Sequence, residues 1–124
     1  VSCAAPGSCG IGGFYGRDHS DQNLVTAMVA SERNGRWSKA TDIPDRSSLG
    51  LDNNISLVEQ FSCSTVGNCG AGGYYITPDL VAQFVATERN GQWGSATQVP
   101  GVMGNGGESS AMTCPSVGNC VTGG

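Results

Sequence analysis

The chain has 124 residues, 20 of them glycine, with 13% charged residues and a formal net charge of −4. So much glycine and so little charge exclude a helical protein, because glycine is costly inside helices and surface helices need charge on their solvent side. A pI near 4.6 and a single lysine, Lys39, exclude a basic stripe that would track phosphates, so no nucleic acid partner is expected. No stretch approaches the roughly 20 apolar residues of a membrane span, and no membrane partner is expected. No signal peptide is visible, which fits a mature chain or an excised piece.

The first element is a hairpin around Cys3-Ala-Ala-Pro-Gly-Ser-Cys9, whose second strand continues into Gly12-Gly13-Phe14-Tyr15. A polar loop from Gly16 to Asn23 follows. Leu24 to Arg33 reads as a third strand, and Asn34-Gly35 as a type I′ turn, since both turn positions need positive φ. The fourth strand carries Trp37 and ends at Pro44.

The same order then recurs. Cys63-Ser-Thr-Val-Gly-Asn-Cys69 precedes Gly72-Gly73-Tyr74-Tyr75. The strand Leu80 to Arg89 precedes Asn90-Gly91, Trp93 and Pro100. In that strand Val81, Val85 and Thr87 lie on one face, and Ala82, Phe84 and Ala86 on the other, so both faces should be covered. A third start, Cys114-Pro-Ser-Val-Gly-Asn-Cys120, reaches Gly124. The period from Cys3 to Cys63 is 60 residues and from Cys63 to Cys114 is 51, the difference falling in two loops. Insertions confined to loops are what a structural repeat tolerates. One repeat array over 1–124 is expected, with unit one at 1–60, unit two at 61–111 and a partial unit three at 112–124.

The six cysteines form three C-x5-C pairs. Tetrahedral zinc favours shorter spacing and added histidine, and His19 is the only histidine, so disulfides are preferred to metal. The repeat selects the pairing Cys3–Cys9, Cys63–Cys69 and Cys114–Cys120, each closing its own hairpin. An oxidising, extracellular compartment follows.

Four short antiparallel strands with recurring glycine and aromatic marks are the sequence form of a β-propeller blade. The expected fold class is all-β, in tandem blades stapled by hairpin disulfides. The chain supplies about two and a quarter blades, whereas about four to eight close a ring. It therefore reads as a piece of a longer array, whose open edges would meet the remaining blades or self-associate, domain swapping included.

S-C-x5-C-x-x-G-G-Y-Y, a central strand ending E-x-N-G-x-W and a closing A-x-x-V-P span nearly the whole chain. In these marks it resembles secreted actinobacterial β-propeller repeat proteins, including those of the dispase autolysis-inducing type from streptomycetes. The resemblance implies an extracellular protein that engages a thermolysin-like metalloprotease and serves as a transglutaminase substrate. It carries over no site residue.

No catalytic constellation is expected. His19 is the only histidine base, unit two has no equivalent, and no G-x-S-x-G elbow occurs. Asp18 and Asp21 supply too few oxygens, at the wrong spacing, for calcium, so neither metal nor cofactor is expected. The inserted loop with Arg17, Asp18, His19, Asp21 and Gln22 is the best place for a specific contact. Tyr15, Tyr75, Trp37 and Trp93 are aromatic candidates for binding, and stacking of sugars on them makes a carbohydrate-binding repeat protein the alternative function. Glu32-Arg33 and Glu88-Arg89 recur, which points to an ion pair or hydrogen bonds between neighbouring units.

Overall fold

The computed structural model describes residues 1–16, 25–44, 46–49, 55–103 and 111–123. Unit one contains β1 (Ser2–Ala5), β2 (Ser8–Gly16), β3 (Val25–Arg33), β4 (Arg36–Trp37) and β5 (Thr41–Asp42). A single 3-10 turn, Arg46–Leu49, follows. Unit two contains β6 (Ile55–Thr65), β7 (Asn68–Ile76), β8 (Val81–Arg89), β9 (Gln92–Trp93) and β10 (Thr97–Met103), and unit three is the hairpin β11 (Ala111–Ser116) and β12 (Asn119–Gly123). The first strand of unit two begins at Ile55.

Among the described residues all strand pairings are antiparallel. Sheet one runs β1-β2-β3 and sheet two runs β6-β7-β8. The expected fourth strand is present in each but broken in two: Trp37 pairs Glu32 and Asp42 pairs Met28 on the same edge of β3, and β9 and β10 share the edge of β8. The described residues form two sheets and a hairpin, and do not close a ring.

The turns follow their residues. Asn34 and Gly35 have φ of 51° and 74°, and Asn90 and Gly91 have 51° and 83°, as a type I′ turn requires. The three disulfides pair as the repeat predicts, with Cys3 opposite Cys9 and Cys63 opposite Cys69 in the ladder. The two turns of each unit also clasp each other, because the Gly35 N–H donates to the Gly7 carbonyl (3.0 Å) and the Gly91 N–H to the Gly67 carbonyl (2.8 Å).

Successive units meet face to face. On β2, Gly10 and Gly12 share a face with Val29 and Ser31 of β3 through their pairing. This trailing face receives unit two: a Cβ on Gly10 would strike the Phe61 ring, and one on Gly12 would strike Val58 and Phe61. Val58 and Phe61 are three apart and would ordinarily point to opposite sides. A bulge at Glu59, between the Val58 and Gln60 pairings, resets the alternation so that both face unit one. The next junction repeats the device. A Cβ on Gly70 would lie 2.6 Å from Cys120 Sγ and 2.8 Å from Cys114 Sγ, and one on Gly72 would lie 2.9 Å from Met112 Cε.

Main-chain donors lock the junctions. The Cys63 N–H donates to Ser2 Oγ (3.0 Å), and one unit later the Cys114 N–H donates to Ser62 Oγ (3.1 Å). The Ala27 N–H donates to the buried Ser56 hydroxyl (3.1 Å), and the Ala96 N–H to the Pro44 carbonyl (3.1 Å). The core lies mainly between the two sheets, with Ala27, Val29, Val58, Ala71, Phe84 and Ala86 all buried.

Gly70→Ala should cost about 1–3 kcal/mol, as overpacking does where neighbours cannot retreat. At Gly94 an added Cβ meets only ordinary contact, 3.5 Å from the Thr87 carbonyl oxygen, and Gly94→Ala should stay within about 0.5 kcal/mol of the parent. Urea denaturation of both variants measures the difference, and equal stabilities would refute this account of the junction.

Candidate binding cleft between the first two units

The leading face of unit two, turned toward unit one, is assembled by register. Ala71, Gly73 and Tyr75 on β7 pair with Ala86, Phe84 and Ala82 on β8, and Glu88 follows on the same face, opposite Trp93. Unit one buries this face. Tyr75 is only 3% exposed, whereas its counterpart Tyr15, on the uncovered leading face of unit one, is 43% exposed. Tyr75, a binding candidate from sequence, is buried here as part of the core cluster. Tyr15 is held by its phenol, which donates to Asp42 Oδ1 at 2.6 Å.

The recurring Glu-Arg pair works across the junction. Glu88 is 2% exposed. Its Oε1 accepts from Ser31 Oγ at 3.0 Å and stands 4.0 Å from the Arg33 guanidinium. That guanidinium rests on the backbone of Gly67 and Gly91, where any Cβ would displace it, and Arg89 rests in the same way on Gly118 of unit three. The expected contact between neighbouring units is present. It ties the two units together through the Ser31 hydrogen bond to the Glu88 carboxylate.

Beside this pair lies a cleft of about 390 Å³. One wall comes from unit one: Arg33 and Arg36, which are cross-strand partners on its trailing face, with Lys39 beyond them. The other wall is Trp93 of unit two, and Glu88 also lines the space. Trp93 packs its ring on Phe61, with centroids 5.6 Å apart at an interplanar angle of 57°. Trp37 is 50% exposed and borders the cleft. Its register with Glu32, however, sets it on the leading face of sheet one, so the two tryptophans do not form a facing pair. A smaller groove of about 300 Å³ recurs one unit later, lined by Thr87, Arg89, Gln92, Trp93 and Gly94.

Of the residues singled out from sequence, the structure brings Trp37 and Trp93 to one cleft and leaves Tyr15 and Tyr75 outside it. Arg17, Asp18, His19, Asp21 and Gln22 lie outside the described residues. Arg36 and Lys39 line the cleft but are not among the residues that the repeat marks. A signal was available: their counterparts in unit two are Gln92 and Ser95, so these charges do not recur where the scaffold does. Among the described residues no group of three or more His, Cys, Asp or Glu side chains is placed to hold a metal ion. Comparison with family models, with curated proteins and with solved structures finds no match to this chain.

Burial raises the Tyr75 phenol above its ordinary value of 10.0. As pH climbs past that value the unfolded chain releases the proton first, so the folded state holds more protons and stability falls. The contribution is complete below about pH 10 and is lost as pH rises through the folded value. Tyr75 should give a step above the ordinary tyrosine value in a tyrosinate absorbance titration. Tyr75→Phe should remove that step, and its survival in the variant would exclude the assignment.

Proposed function

We propose that these units are propeller-type blades and that the chain is a non-catalytic extracellular interaction module binding another secreted protein, a thermolysin-like protease being the partner the family resemblance implies. Four-stranded antiparallel sheets stacked through close-approach glycines support the blade reading. So does the leading face of unit one, where Ile11, Tyr15 and Trp37 are exposed at positions that unit two buries or half-buries as Ala71, Tyr75 and Trp93. A further unit of the same type would cover it.

The observation that carries the binding reading is the composition of the cleft. Tryptophan and arginine are the residues that most often dominate protein–protein binding energy, and here Arg33, Arg36 and Trp93 surround one recess. The disulfides support an extracellular site of action. The non-catalytic reading rests on the sequence, with His19 as the sole histidine and no nucleophile elbow. Exposed glutamines such as Gln92 are the positions where transglutaminase would act.

Surface-immobilised chain should retain a secreted thermolysin-like metalloprotease at micromolar concentration, and Trp93→Ala should weaken capture. Weakening by at least about 2 kcal/mol, roughly thirtyfold, would mark a hot spot. No retention of such a protease would remove this partner. Binding of neutral oligosaccharides with a change in tryptophan fluorescence would favour the carbohydrate-binding alternative, which the recurrence of the groove beside Trp93 supports.

A further inference from the structure

We propose that the cleft between units one and two is a receptor for an extended acidic peptide segment. The proposal rests on reading the chain as a binder of a secreted protein, and it names the chemistry of the partner's contact. Two independent observations carry it. The chain has six basic side chains against ten acidic ones, yet three of the six, Arg33, Arg36 and Lys39, converge on this single recess. A concentration of positive charge on a chain of net −4 selects an anionic ligand, and low-dielectric walls strengthen its field.

The second observation is Glu88. It lines the same recess, is 2% exposed, and uses only one oxygen in the junction. Among the described residues its Oε2 has no hydrogen-bond partner. A buried acceptor left without a partner is unfavourable, more so when charged, so a donor supplied by a ligand would relieve it on binding. The site therefore asks for an N–H or O–H donor at depth and carboxylates at the rim.

An extended acidic peptide meets both demands at fixed spacing. Its main-chain N–H groups donate to Glu88 Oε2, its alternate side chains carry carboxylates to Arg36 and Lys39, and its intervening apolar atoms lie on Trp93. Arg33 stays with Glu88 Oε1 and the Gly67–Gly91 turns, and so keeps the floor in place. An acidic sugar could offer hydroxyls and carboxylates as well. The peptide is favoured because arginine and tryptophan are the residues enriched at the centres of protein–protein contacts.

The test is fluorescence anisotropy at low salt with a fluorescein-labelled peptide of five Glu-Ala dipeptides, against the Lys-Ala peptide and an oligogalacturonate. The Glu-Ala peptide should bind best. Arg36→Glu combined with Lys39→Glu, both exposed in the parent, should weaken it about tenfold, the effect of reversing two rim charges. Glu88→Gln retains an oxygen for Ser31 but turns an amide donor toward the ligand's own donor, and should weaken binding severalfold with the melting temperature monitored alongside. Should that variant unfold, the rim pair alone decides. Equal binding of the Lys-Ala peptide, tighter binding of oligogalacturonate, or unchanged affinity in the rim variant would each overturn the proposal. Protease capture that survives in the rim variant, with no peptide bound by the parent, removes this site and leaves the functional reading. Peptide binding with no protease captured removes the protease and leaves the site.

Discussion

The distance between neighbouring sheets governs everything else in this molecule, and it is set where Gly10 and Gly12 of one unit, and Gly70 and Gly72 of the next, present bare backbone. Phe61 and Val58 occupy the first recess, and Met112 with the Cys114–Cys120 sulfurs occupies the second. Only at that separation can Ser31 reach Glu88 and Arg33 settle on the two glycine turns of the following unit. The cross-strand disulfides belong to the same constraint. They hold the short hairpins in register, and the third also packs directly against the preceding sheet. Widening the spacing by a methyl group would loosen the apolar core and the polar clasp together, since both span the same junction.

Much of this order is visible in the letters. The Asn-Gly turns, the disulfide pairing and the contact between repeated Glu-Arg pairs all come from local chemistry or strict recurrence, which a single chain displays openly. The bulge at Glu59 does not. Nothing in Val58-Glu59-Gln60-Phe61 announces that alternation is reset there, because the cause lies in what Val58 and Phe61 meet on sheet one. The same limit separates Tyr15 from Tyr75. They occupy one position of the repeat, yet one phenol is sealed by a neighbouring sheet and the other is exposed. The broken fourth strand escapes detection for a different reason: Arg36–Trp37 and Thr41–Asp42 are each too short to carry a periodic pattern.

The cleft lies further beyond sequence reading, because its walls come from different units. Recurrence nevertheless sorts its residues. Arg33 and Glu88 occupy positions that repeat, and each touches backbone or hydroxyl groups of the adjoining unit. Arg36 and Lys39 give way to Gln92 and Ser95, so the fold does not require their charge. A scaffold must use the same device at every junction, whereas a binding site can be local to one. The nonrecurring cations therefore belong to the surface chemistry of this junction, and the recurring Glu-Arg pair to its architecture.

The third unit shows that the junctions are not interchangeable. At the position of Gly10 and Gly70, immediately after the second cysteine, it carries Val121, which is 62% exposed. In the first two units a Cβ there collides with the Phe61 ring or with the disulfide and Met112 beyond it. A valine closes that recess, so any sheet facing β12 must sit farther out or offer a smaller side chain than phenylalanine or methionine. One hydrogen-to-isopropyl difference in the backbone's contact surface thus separates this face of unit three from the faces of units one and two, on which Phe61 and Met112 are seated.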